Sequence, residues 1–332
     1  MDNLTHTAVA AFLSRIGPGR WSPYATAIIL VGANLPDIDG ISAAGGGLNY
    51  LHFHRHLTHS LAALPFMALA AVGIVRVVVR KPLVWPGAFF AALLAVASHL
   101  ALDATNIYGI RLLLPFSSAW QSLDMTGVVD LWILAVCLLG LAAPVLGHLV
   151  GSEIASGSAR ARHYGRGWAW FAIGFVLLYE GARFGLHSRA VTALDGQLYQ
   201  DAVPLRVAAL PNAINPMKWR GLVETSDSIA VQEVNLAGEI GSSRPIVFHK
   251  PEPDPVIDAA RGTPTFQQFL QFSQWPLWRV TPYPARENAR LVEVFDMRFG
   301  SPVDPGFMVS AVVDSRGQVI ESSFRFGGVR PR

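Results

Sequence analysis

The side chains able to do chemistry in this chain gather in two short stretches. His52-Phe53-His54-Arg55-His56-Leu57-Thr58-His59 places four histidines and an arginine immediately before a long apolar run. His99-Leu100-Ala101-Leu102-Asp103 sets an imidazole and a carboxylate four residues apart at the far end of the next apolar run, with Asn106, Tyr108 and Gly109 just beyond. Residues at i and i+4 project from one face of a helix, so His99 and Asp103 can both reach one cation. Imidazole with carboxylate suits zinc, manganese or iron, and more than four such groups suggest two metals rather than one. Two antiparallel helices would bring the stretches together, and the turn Pro36-Asp37-Ile38-Asp39 adds two carboxylates. A charged carboxylate at membrane depth costs ~3 kcal/mol, so such groups are usually paired or functional. His54, His59, His99, Asp103 and the turn acids therefore read as one metal site. The isolated His148, His163 and His187 read as interfacial hydrogen-bonded residues.

The elements that must position these groups are apolar. The 332 residues are 52% hydrophobic and 15% charged, against roughly 25% charged in an ordinary soluble domain. Residues 1–189 hold 20 charged side chains and nine of the ten histidines, whereas the shorter 190–332 holds 29 charged side chains. The expectation is an α-helical membrane bundle over 1–189 followed by a soluble α+β domain over 190–332. The net charge of +3 is spread in short clusters, which suits membrane orientation and calls for no nucleic-acid partner. Cys137 stands alone, which excludes an internal disulfide. The first residues lack a basic region, so no cleavable signal peptide is expected.

Leu4 to Ile16 and Tyr24 to Ala33 are each shorter than the ~20 residues a spanning helix needs. A short N-terminal helical hairpin fits them better, and it would bring His6 close to Asp37 and Asp39. About four spans follow: Leu61 to Val79, Leu83 to Leu102, Val128 to Val150 and Trp168 to Leu186. In the last of these, Glu180 and Arg183 are spaced to pair on one face. Arg76, Arg80 and Lys81 lie in one loop, and Arg160, Arg162 and Arg166 in another two spans later, so both loops can be cytoplasmic at once. That orientation puts His52–His59, His99–Tyr108, Asp124–Asp130 and the C-terminal part together on the extracytoplasmic side.

In the C-terminal part, Trp219 to Thr225 and Ser228 to Leu236 read as paired strands, and Thr265 to Ser273 as a short helix. Leu291 to Phe299, Phe307 to Val313 and Gln318 to Phe326 alternate apolar and polar residues, with a hairpin turn at Asp314-Ser315-Arg316-Gly317. Val191 to Val207 is read as leading out of the last span. No catalytic constellation stands out here, and the domain could cap the site or merely shield the bundle.

Four motifs in register carry a family resemblance: Asn3-Leu4-Thr5-His6, Asn34-Leu35-Pro36-Asp37-Ile38-Asp39, His54-Arg55-x-x-Thr58-His59-Ser60, and His99-x-x-x-Asp103-x-x-Asn106-x-Tyr108-Gly109. Over about residues 1–135 the chain resembles the YdjM-like family of bacterial inner-membrane proteins, described as metal-dependent hydrolases. The resemblance implies a multi-pass protein of the bacterial inner membrane with metal ligands His6, Asp37 and/or Asp39, His54, His59, His99 and Asp103. His52 and His56 are extra to that pattern. Asn215-Pro216-x-x-Trp219-Arg220 resembles the extracytoplasmic tail of longer members. One or two divalent transition metal ions are expected, zinc first and manganese second. Asp124 or Asp130 would orient a metal-activated water or act as base, while Arg55 and Asn106 would hold an anionic group. Membrane lipid surrounds such a site, which favours a phosphoester of a lipid or lipid-linked substrate. Two other classes remain. A divalent-metal transporter needs ligands along a path through the membrane, and a structural or partner-binding protein leaves the His-x-x-x-Asp spacing unexplained.

Overall fold

The computed structural model describes residues 1–154, 164–238 and 243–326. Contacts divide the chain into two compact units. One comprises Met1–Asp39, Arg55–Arg189 and Pro211–Lys218; the other comprises Gly40–His54, Ala190–Leu210 and Trp219–Arg332.

In the first unit, α1 (Asn3–Ile16) starts where Asp2 accepts from the Thr5 amide at 2.9 Å and the Thr5 hydroxyl at 2.7 Å. The turn at Pro18–Arg20 ends it and leads to α2 (Ala25–Asn34). Hydrogen bonds of Thr7 with Asn34 (3.1 Å) and Ser14 with Thr26 (2.6 Å) close the two helices into the expected hairpin. Helices α4 (Leu64–Val79) and α5 (Trp85–Thr105) follow. Small side chains let α2 and α5 approach closely: Ala25, Ala33, Ala91 and Ala95 are buried together. A Cβ on Gly32 would lie 3.3 Å from the Ala92 carbonyl oxygen and from the Ala95 Cβ. Interfaces of this kind bring backbones within hydrogen-bonding reach of a neighbouring helix's side chains. Ile28, Ala68, Ala71, Val72, Ala88 and Val96 extend the same core to α4. Val9 and Phe12 of α1 pack with Ile133 and Cys137 of α6 (Leu131–Ile154) and with Ala169 and Val176 of α7 (Tyr164–Asp195).

Two helices, Trp85–Thr105 and Gly165–Asp195, are long and apolar enough to cross a membrane, and up to four spans result if two bent pairs of shorter helices each count as one. The expected four are thus not fixed by length, because α4 has 16 residues and α6 carries the shorter apolar stretch Leu131–Gly147. The spaced pair on α7 is bound to other groups as well. Glu180 accepts from Thr105 at 3.2 Å, and Arg183 donates to the carbonyls of Met125 (2.8 Å) and Pro216 (2.7 Å). Of the second basic cluster, Arg166 donates to the Ile16 carbonyl at 3.2 Å, whereas Arg160, Arg162 and His163 lie outside the described residues.

The second unit holds two four-stranded sheets, each in sequential order. The first is β1 (Arg206–Pro211), β2 (Lys218–Glu224), β3 (Ser228–Asn235) and β4 (Ile246–His249). The second is β5 (Pro276–Pro282), β6 (Arg290–Asp296), β7 (Phe307–Val313) and β8 (Val319–Phe326), antiparallel throughout. Helices α8 (Pro255–Arg261) and α9 (Pro264–Phe272) precede the second sheet. The expected turn is present: Asp314 accepts from the amides of Arg316 and Gln318, and Gly317 sits at φ +76°. Helix α3 (Gly47–Phe53) also belongs here, packed against α9 and β8. A Cβ at Gly47 would meet the rings of Phe324 and Phe326, so a side chain there would have to displace them.

Candidate metal centre

Three segments of the helical unit supply the polar cluster. The 3-10 stretch Pro36–Gly45 carries Asp37 and Asp39, a single 3-10 turn Leu57–His59 carries His59, and the last turns of α5 carry His99 and Asp103. His59, His99 and Asp103 are fully buried, and the Asp37 side chain is 10% exposed. The Nε2 atoms of His59 and His99 stand 3.1 Å apart. Asp103 Oδ2 is 3.4 Å from each of them, and Asp37 Oδ1 is 3.4 Å from His59 Nε2 and 3.7 Å from His99 Nε2.

The outer ring nitrogens decide what these atoms are. His99 Nδ1 lies 2.7 Å from the Ala33 carbonyl oxygen, which can only accept, so Nδ1 carries the hydrogen and Nε2 a lone pair. His59 Nδ1 lies 3.1 Å from Asp39 Oδ2, and the same argument leaves its Nε2 as a lone pair. Two lone pairs and two carboxylate oxygens therefore converge on one point. Asp103 Oδ2 makes no hydrogen bond among the described residues. Four acceptors so placed repel one another unless a cation lies between them. Ligands of a tetrahedral zinc, at bonds of ~2.0–2.1 Å, stand about 3.3 Å apart. The five separations above fall on either side of that value, so the donor set fits such an ion.

The surrounding residues hold these four in place. Asp39 Oδ2 accepts from the Thr58 hydroxyl (2.6 Å) and the Arg55 amide (2.9 Å) as well as facing His59. Arg55, buried and at φ +57°, directs its guanidinium to Asp103 Oδ1 (3.0 Å) and Asn106 Oδ1 (3.0 Å) while stacking 4.7 Å over Tyr108. Asn106 in turn donates to Asp103 Oδ1 at 3.3 Å and accepts from the Tyr108 amide. The amino group of Met1 also contacts Asp103 Oδ1. His6 stacks on His99 with centroids 3.8 Å apart and brings Nε2 to 3.3 Å from Asp103 Oδ1. Beyond the cluster, burial lowers the pKa of Arg111, which lies over Trp120 and donates its amide to the Arg55 carbonyl.

Of the residues singled out in the sequence, the structure gathers Asp37, His59, His99 and Asp103 into one ring of donors, with His6, Asp39, Arg55 and Asn106 in contact with its members. Asp39 supports His59, and Arg55 and Asn106 hold Asp103. His54 falls in the other unit, buried at the end of α3 and stacked on Tyr50 at 4.5 Å. Asp130 is engaged at the start of α6, where Oδ1 accepts from the amides of Trp132 and Ile133 and Oδ2 from the Tyr179 hydroxyl at 3.1 Å. Asp124, at φ +49°, accepts from Ser122. The support given by Thr58 and by the Ala33 carbonyl was not read from the sequence. Thr58 adjoins His59 in its motif and could have been found there, whereas a backbone carbonyl leaves no such signal.

A family model described as YdjM inner membrane protein matches residues 1–190. The uncharacterized protein YfhP of Bacillus subtilis (strain 168) is 25% identical over 281 residues, covering 82% of this chain and 76% of that protein. No solved structure matches. The matched residues span the hairpin, every donor of the cluster and the apolar helices, and the chain belongs to the YdjM inner membrane protein family.

Proposed function

We propose that this membrane protein is a hydrolase that uses one divalent transition metal, zinc by its donor set, on a phosphoester of a lipid or lipid-linked substrate. The observation that carries the reading is the convergence of two imidazole lone pairs and two carboxylate oxygens at 3.1–3.7 Å. One ion is proposed for the four-donor group Asp37, His59, His99 and Asp103.

When bound, a divalent metal supplies Lewis acidity and acidifies a coordinated water toward neutral pH. The chain's own residues do the rest. Ala33 and Asp39 fix the tautomers of His99 and His59, and Arg55 with Asn106 orients Asp103. Asp37 is the partly exposed donor of the four, so it is the ligand that would yield a coordination position to water and would then orient that water. The site lies where α5 ends, so an amphiphile can offer its phosphoester there while its chains stay in lipid. By the distribution of Arg76, Arg80 and Lys81, that end of α5 faces away from the cytoplasm.

The test is elemental analysis of the detergent-purified full-length protein beside His99→Ala, followed by phosphate release from phosphatidic acid and a lipid pyrophosphate. One equivalent of metal, lost in the variant together with hydrolysis, is the expected result. A protein that stays metal-free after reloading with zinc and manganese would overturn the reading. A metal-loaded protein that leaves both lipids intact would keep the centre and remove the substrate class.

A further inference from the structure

The second sheet has two unlike faces. Strand partners alternate between faces row by row. The row Trp278, Val294, Val309 and Phe324 faces the helices, with Phe266 against Trp278 at 5.8 Å and Phe269 against Phe324 at 6.1 Å. The next row, on the opposite face, is polar across all four strands: Arg279, Glu293, Ser310 and Ser323. A cavity of about 820 Å³ opens on that face, within the ~300–1,000 Å³ of ligand pockets.

From this face we infer a carbohydrate-binding site, for a short oligosaccharide either free or borne on a lipid. The floor is ordered in advance. Arg279 holds Glu293 through Nε at 2.9 Å and a terminal nitrogen at 2.7 Å, and the hydroxyls of Ser310 and Ser323 are 3.0 Å apart. Glu293 is 5% and Ser310 7% exposed, so these polar groups are built into the sheet. Arg325 and Glu321 on β8 line the same cavity, so its two guanidiniums are matched by two carboxylates. A phosphate or other polyanion gains no net attraction from such a lining. A sugar ring does, because each hydroxyl both donates and accepts, and planar guanidinium and carboxylate groups offer the complementary pairs. Leu291, Val312 and the Tyr283 ring complete the wall with apolar surface for the C–H face of a pyranose. Every lining residue belongs to the C-terminal unit, and the inference is independent of the metal reading.

The experiment uses full-length protein in a zwitterionic detergent without a sugar head. Saturation-transfer NMR with maltotriose and chitotriose probes the free form, and flotation with phosphatidylcholine vesicles with or without monoglucosyldiacylglycerol probes the lipid-borne form. Ser323→Phe should weaken binding about tenfold or more by filling the cavity, and Glu293→Gln by a similar factor, as loss of a charge-assisted hydrogen bond implies. Glu321→Gln, at an exposed rim position, serves if either of these fails to unfold cooperatively, and should weaken binding severalfold. Binding to the trisaccharides assigns a free glycan, and binding only to the glycolipid vesicles assigns a lipid headgroup. No binding by the native protein, equal binding to plain phosphatidylcholine vesicles, or binding indifferent to the folded variants would each overturn the site.

Discussion

Asp39→Asn separates the donors of the cluster from the residue that supports them. Asp39 Oδ2 accepts from Thr58 and the Arg55 amide and faces Nδ1 of His59, so its charge reaches a bound cation through the imidazole. Hydrogen bonds to a charged acceptor contribute about 1.5–3 kcal/mol, against about 0.5–1.5 for a neutral one. Exchanging carboxylate for amide should then cost the His59 contact ~1–2 kcal/mol, or about five- to thirtyfold in metal affinity at 1.4 kcal/mol per decade. That agrees with the 10–100-fold typical of groups that orient a metal-bound histidine. Competition between the full-length protein and a chromophoric zinc chelator measures it, with His99→Ala as the variant lacking a donor. An affinity equal to the native value would refute the orienting role. A loss as complete as that of His99→Ala would make Asp39 a ligand itself and undo the assignment of Asp37 as the fourth donor.

Asp130→Ala should remove a helix cap and the acceptor of the Tyr179 hydroxyl, lowering stability by about 0.5–2 kcal/mol while leaving the metal equivalent unchanged. Thermal unfolding and metal analysis of the same sample report both, and loss of metal would return Asp130 to the site. Metal should be lost in strong acid, because ligation by imidazole and carboxylate requires their unprotonated forms. Zinc retained in full at roughly pH 2, below the ordinary range of both imidazole and carboxylate, would argue against this donor set.

The site was legible where local spacing dictates geometry. His99 and Asp103 share a helix face, and the hairpin of α1 and α2 follows from two short apolar runs around Gly17-Pro18-Gly19. The three sequence motifs that supply Asp37, His59 and Asp103 meet only because alanines and Gly32 let α2 lie against α5, which no single motif reveals. The histidine stretch looked continuous, yet it divides at His54/Arg55, since α3 finds its partners in phenylalanines more than 200 residues later in the chain. In the C-terminal unit β7, β8 and their turn were readable from alternation. By contrast, β5 is bounded by Pro276 and Pro282, β4 has only four residues, and β1 follows a helix that runs on to Asp195, so none of them announces itself by periodicity.

The bond from the Arg55 amide to Asp39 ties a neck in the chain. Everything between these residues, Gly40–His54, leaves the helical unit at one end of that bond and returns at the other. During synthesis the ribosome completes the neck and all four donors well before it reaches α9 and β8, the elements on which α3 rests. The partners of the loop are therefore synthesised after every donor of the cluster. Once α3 has docked, any pull on the loop is delivered to Asp39, and through it to the ring of His59.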